Sequence, residues 1–510
     1  MSTLRGRMGS LPWGRAKIVA GVAAVAALVV AGGSAGAGPA PRVPKAVSTE
    51  AASTEAASTK AVSTTAITTK AAVTTATGQG PRTASATASD WVTYDWSPAR
   101  AGVAASTPAV TTASAVKRGW TAKVDGSIYG QPLLVGKEVI VATENDSVYA
   151  FDRYSGRRLW RLHVGTPVTS TDLPCGDIGP TSGITGTPVA DVATDRLYVV
   201  SFSPFVHTLW TLDLTTGRVI ASRVIDGPGD DPKAEQQRGA LLIDGSYVFV
   251  PYGGLAGDCS DYHGWVVGAP LSGRGKLIHY VTPTQREAGI WSPPGPSAGP
   301  SGLYVATGNG TPVNAVDNSD SVIRLSPKTL KVESIFTPSD YVKLSTDDLD
   351  LGTTSPVLLP HNQLFMIGKE GIGYVLGATH LGGLGHPLAQ APVCARAIGG
   401  DAVVGDIVII SCSDGLYAVR VTPGSTTVKP TLRVIWSVPD IQGGPPIVAG
   451  GIVWDVPKAA TQLLGFQLSN GHQWFAAKVA PPITSFPGLS ASKERLFVPE
   501  GSEVVCYRGL

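Results

Sequence analysis

A block of about 49 residues recurs eight times along this chain, and that recurrence limits the fold more than any other feature. Residues 130–160 (GQPLLVGKEVIVATENDSVYAFDRYSGRRLW) give the pattern: a Gly/Pro turn, an apolar strand, a Gly turn and a V-x-V-A-T strand. A polar turn, V-Y-A-x-D, an S-G turn and a strand ending on Trp follow. Copies begin near residues 130, 186, 237, 297, 355, 401, 445 and 488. Four short strands per copy form one blade of a β-propeller, in which radial repetition protects the sheet edges. Composition agrees. Charged residues are only 15% of the chain, while Gly 61 and Pro 39 supply many turns; long surface helices need a richer charged face. The eighth copy stops after three strands, and residues 118–126 (RGWTAKVDG) read as an orphan fourth strand carrying Trp120. The sequence therefore predicts an all-β, eight-bladed propeller over 118–510, its last blade closed by an N-terminal strand, which leaves no open edge.

The N-terminal part follows other rules. Arg5, Arg7, Arg15 and Lys17 come before any acid, Ile18 to Ala31 is an apolar run, and small residues surround Ala35–Ala37. This order is that of a secretory signal peptide, assigned to 1–37; the alternative is a retained membrane anchor, for which the apolar run is shorter than the ~20 residues of a span. Residues 46–75 repeat every five residues as AVSTE, AASTE, AASTK and relatives. With no large side chain to bury, 38–88 is expected to be a disordered Ser/Thr/Ala spacer, and 89–117 a lead-in segment to the propeller. The expected location is extracytoplasmic, secreted or at the cell surface, with membrane contact only through the export segment. A net charge of +2 gives no basis for nucleic-acid binding. In an oxidising compartment cysteines tend to pair. Cys394 with Cys412 and Cys175 with Cys259 are the expected disulfides, leaving Cys506 over; spacing alone does not fix the connectivity.

The signature YAFDRYSGRRLW (149–160) and the preceding DWVTYDWSPARAG (90–102) resemble the repeats and leading segment of pyrroloquinoline-quinone (PQQ)-like propeller proteins. That fold serves quinoprotein alcohol dehydrogenases and also non-enzymatic assembly-factor propellers, so the resemblance implies fold more firmly than activity. Carried over motif by motif, it implies a site. AGIWSPPG places Trp291 where the dehydrogenases have the tryptophan under the quinone, and LYVATGNG places Asn309 where they have an amide ligand to calcium. DDLDLGTTSP places Asp350 at the catalytic base, although Leu349 stands where the family has tryptophan. IGKEGIGYVL places Lys369 at the quinone oxygens. GDCSDYHGW offers Asp258 as a calcium ligand in place of the family's Glu, after a one-residue insertion. Two departures stand out. Cys175 is followed by Gly176, so the family's pair of adjacent cysteines is absent, and no C-x-x-C-H haem motif occurs.

Each of these residues also has a plainer reading: Trp291 as filler between blades, Asn309 in a left-handed turn, Asp350, Lys369 and Asp258 as ordinary loop charges. Two functions follow. The first is a propeller that binds a small molecule, a glycan or a protein partner. The second is a PQQ- and calcium-dependent dehydrogenase of alcohols or sugars, with Asp350 as base. G-x-S-x-G at 295–299 lies in a Pro-rich strand lead-in rather than at a strand-to-helix elbow, so it is not a nucleophile.

Overall fold

The computed structural model describes residues 86–227, 231–424, 428–457, 461–481 and 484–510. The predicted signal peptide, and the spacer up to residue 85, lie outside them. Eight antiparallel blades form the ring; in blades 1 to 7 the innermost strand comes first in sequence and the outermost last, while blade 8 takes its outermost strand from the N-terminal side. Blade 1 runs Leu133–Val135, Glu138–Ala142, Ser147–Asp152 and Arg158–His163. The first strands of blades 2 to 8 are Val189–Asp191, Leu242–Asp244, Ser297–Gly299, Val357–Leu359, Ala397–Val404, Ile447–Ala449 and Ser490–Ser492. Inner strands are buried almost throughout, while outer ones such as Arg158–His163 are largely open to solvent. This gradient explains why the inner strands read as short apolar runs.

Closure occurs as predicted. Lys117–Lys123 pairs antiparallel with Glu503–Arg508, placing Trp120 opposite Cys506 and completing blade 8. The S-G-x-x-x-W signature gains a physical meaning in the ring. Gly156, Gly217 and Gly471 each have a positive φ near 70°. A Cβ on any of them would strike the indole of Trp120, Trp160 or Trp436 respectively. In each case the tryptophan is on the outer strand of the preceding blade. The glycine thus does two jobs: it makes the left-handed turn and leaves a flat seat for the neighbouring indole.

The lead-in segment is a structural part of the ring. Its backbone carbonyls accept hydrogen bonds from inner-strand amides near the first hairpin turn of six blades: Leu134 N–H to Trp91, Ala190 to Val92, Ala298 to Pro98, Leu358 to Ala99, Val403 to Ala101 and Val448 to Gly102. Blade 3 is reached by the Thr93 hydroxyl and the Arg100 guanidinium, which both donate to the Leu241 carbonyl. Blade 8 is reached through Gln131, which joins the Asp95 backbone to the Leu489 carbonyl. Trp91, Tyr94 and Arg100 are fully buried here. The segment closes one end of the axis and leaves the loops at the other end free to shape a site.

Removing the indole of Trp91 is expected to cost about 3–5 kcal/mol, as for other buried aromatics cut to alanine. Urea unfolding of Trp91→Ala against an exposed-site control, Tyr154→Ala, measures this. A Trp91→Ala midpoint equal to the control's would contradict the hub role.

Candidate functional site: an axial cavity at the open end

Loops from several blades surround a cavity of about 540 Å³ at the open end of the axis. All five residues singled out from the sequence, Trp291, Asn309, Asp350, Lys369 and Asp258, line it. Trp291 stands in the loop leading into blade 4. Asn309 follows the second strand of that blade, Gly302–Ala306. A short helix, Tyr341–Thr346, then leads to Asp350, just before blade 5. Lys369 occupies the turn after Gln363–Ile367.

Asp350 is the centre of the arrangement. One carboxylate oxygen accepts the Asn309 backbone amide at 2.8 Å, and the other is ion-paired with the Lys369 ammonium. Lys369 also bonds Asp348 at 2.6 Å, and its nitrogen lies 5.9 Å from the centre of the Trp291 ring. Gly308 makes the close approach possible, since a Cβ there would collide with an Asp350 carboxylate oxygen. The glycine of the T-G-N turn is therefore required by contact; neither Gly308 nor Asn309 adopts the left-handed conformation that the turn reading of Asn309 expects. Burial pushes the Asp350 pKa above the ordinary carboxylate value, against the opposing pull of Lys369. Burial works against the Lys369 ammonium, but Asp350 and Asp348 outweigh it and hold its pKa above the usual lysine value. The side-chain amide of Asn309 donates to Asp348 at 3.2 Å, while its carbonyl oxygen is buried without a partner. Asp258 differs from the rest: it is exposed on the rim, in a left-handed conformation, and accepts the Tyr262 hydroxyl at 2.6 Å.

Sequence reading missed Arg238. Its guanidinium lies 5.2 Å from the Phe486 ring centre and 5.9 Å from that of Tyr129. It is 9% exposed, pairs loosely with Asp177 at 3.8 Å, and keeps a buried Nη2 without an acceptor. The signal was present: the third repeat opens on QRGA where the first two open on GQP and GTP. A buried charged residue in the connection leading to an inner strand is costly unless it faces a partner or ligand. Gln236, Tyr262 and Glu287, also unforeseen, are among the other residues of the wall.

Both expected disulfides are present, Cys175–Cys259 and Cys394–Cys412, and Cys506 is free and buried. The one close group of three metal-ligand types among the described residues is Cys394, Cys412 and Asp414, and its two sulfurs are spent on the disulfide.

Fold and site together define an eight-bladed propeller with a polar cavity at the open end of its axis. Residues 102–253 match a family model described as outer membrane protein assembly factor BamB. No curated protein matches the chain. The fold is similar to quinohemoprotein alcohol dehydrogenase ADHIIG from Pseudomonas putida HK5, with TM-score 0.63 and 13% identity over 82% of this chain and 80% of that one. A europium-containing methanol dehydrogenase aligns with TM-score 0.63 and 12% identity over 83% and 98%. BamB from Moraxella catarrhalis aligns with TM-score 0.51 and 13% identity over 77% and 97%. The chain shares the β-propeller fold of these proteins, and residues 102–253 carry its likeness to the repeat of the matched family model.

Behind the Asp350 loop, Asp320 accepts the Leu351 amide at 3.0 Å and the Ser345 hydroxyl at 2.7 Å. Burial raises its pKa to about 7, above the ~4 of an unfolded aspartate. The folded chain therefore keeps this proton to higher pH than the unfolded chain. The stability tied to it is complete below about pH 4 and is lost as pH rises through about 7. Melting temperatures from pH 4 to 8 are expected to fall less steeply for Asp320→Asn than for the parent. Parallel curves would contradict this.

Proposed function

We propose that the protein is an exported binding propeller whose axial cavity takes a flat, carboxylate-bearing ring system of the PQQ class. The observation that carries this is the convergence of Trp291, Arg238, Lys369 and the unpartnered Asn309 oxygen on one cavity. Its size falls within the ~300–1,000 Å³ of small-molecule sites. Trp291 offers an aromatic face. Arg238, held between Phe486 and Tyr129, has a free donor for a ligand carboxylate, and guanidinium suits that partner. Lys369 presents a positive charge to ring oxygens. A hard cation needs six to eight oxygens. Asn309 and the rim carboxylate of Asp258 would be its side-chain ligands, and calcium would then share the site with the ligand's own oxygens. Export is supported by two disulfides and by the charge and apolar order before residue 38. The match to an assembly-factor family supports a role for the surrounding loops in holding a protein partner.

A second reading, oxidation of alcohols or sugars, is favoured by the Asp350–Lys369 pair beside Trp291. A bound quinone would supply two-electron oxidation. Asp350 would accept the substrate's hydroxyl proton, which its burial-raised pKa suits, and Lys369 would hold negative charge on the ring. Electrons would leave to a separate acceptor.

Titration of the purified chain with PQQ, with and without calcium, is expected to show saturable quenching of tryptophan fluorescence. Arg238→Ala and Lys369→Ala should each weaken binding about 10–100-fold, the loss of one charged hydrogen bond. Absence of binding by the parent chain would refute the proposal. If alcohol-dependent dye reduction is observed, Asp350→Asn should abolish it while PQQ still binds; unchanged turnover would remove Asp350 as base.

A further inference from the structure

Two half-buried cysteines stand at the mouth of the axial cavity. Cys175 lies in the segment between blades 1 and 2, and Cys259 in the loop joining the second and third strands of blade 3. Their disulfide spans a sequence separation of 84, with Cα atoms 6.2 Å apart. Asp177, two residues past the first sulfur, and Leu255, Ala256, Gly257 and Asp258, leading up to the second, all line the cavity. The bridge therefore joins two stretches of the rim.

Both stretches have backbones that are poor at holding their own shape. Gly176 and Gly257 have φ of +126° and +103°, while Asp258 and Ser260, which are not glycine, have φ of +50° and +68°. Left-handed conformations cost energy in ordinary residues. The blade 3 loop is braced mainly from its own blade and the turn after it: Asp258 N–H donates to Leu255 at 3.1 Å, and Arg286 donates to the carbonyls of Ser260 and Asp258. Across the mouth, the disulfide acts beside the long Asp177–Arg238 pair at 3.8 Å. The bridge also packs on the rim itself, since the Cys175 sulfur lies 3.5 Å from where a Cβ on Gly257 would sit.

We propose that the Cys175–Cys259 disulfide is a redox-set strap on the mouth of the cavity, an inference that rests on the ligand-binding reading above. In the oxidised chain it holds the two rim stretches together and slows ligand exchange. An external dithiol reverses this: it gives up two electrons and two protons, its own sulfurs pair, the Cys175–Cys259 bond breaks and two thiols remain. Half-exposure makes the bridge reachable for that exchange. Once it is open, the rim is free to part by local unfolding, while the sheets stay intact. Cys394–Cys412 spans a separation of only 18, and neither residue lines the cavity, so it serves as the control.

The test uses the full chain as Cys175→Ser/Cys259→Ser, as Cys394→Ser/Cys412→Ser and as parent. Stopped-flow release of PQQ is expected to be about tenfold or more faster in the first variant than in the parent, and within about twofold of the parent in the control. Amide hydrogen exchange without ligand is expected to speed up at 173–178 and 254–262 in the first variant and to stay unchanged in the blades. That readout stands even if PQQ does not bind, so failure of the strap is separable from failure of the proposed function. Unchanged rim exchange would overturn the strap, as would faster exchange spread over every blade. A faster rim with unchanged PQQ release would overturn it as a gate.

Discussion

The ring depends on one set of hydrogen bonds. Residues 91–102 pass from blade to blade at the closed end of the axis and accept amide hydrogens from inner strands of six blades, while side chains of Thr93, Arg100 and Gln131 reach the other two. Inner-strand amides near an axis have no neighbouring strand on that side, and leaving them unpaired in a dry interior is expensive. A single extended segment meets this need for six of the eight blades. It also makes Arg100 a buried cation whose hydrogens go to Pro296, Thr93, Tyr94 and Leu241.

With that end closed, the opposite end can be polar. The connections that bring the chain back to the axis and the loops between second and third strands gather there, and they carry the charged residues that line the cavity. Asp350 and Lys369 neutralise each other, Asn309 fixes one oxygen of Asp350, and Trp291 lies alongside. Arg238 brings a second positive charge from blade 3. Such a site is built from groups whose partners are incomplete, and the buried oxygen of Asn309 and nitrogen of Arg238 are where a ligand would complete them.

Much of this was legible in the sequence because repetition is a strong signal. Blade number and the closing strand with Trp120 follow from the recurring turn-strand order, whereas the disulfide pairing was an expectation that cysteine spacing alone did not fix. The five cavity residues came from the resemblance of short segments to motifs of the PQQ-like family rather than from the repeat itself. The hub was not legible: DWVTYDWSPARAG has no periodicity, and its hydrogen bonds come from strands up to about 350 residues away. Arg238 was missed for a related reason. A lone arginine shows its purpose only when Phe486, from the other end of the chain, closes over it. The exposure of Asp258 on the rim likewise depends on how the loop folds over its disulfide.

A crystal structure of the chain grown with PQQ and calcium tests the account most directly. The prediction is density for a planar ring lying about 3.5–4 Å from the Trp291 indole, at van der Waals contact, with a carboxylate against Arg238 and ring oxygens toward Lys369. Clear density for the protein with no ligand in the axial cavity, or with PQQ seated elsewhere on the propeller, would contradict it.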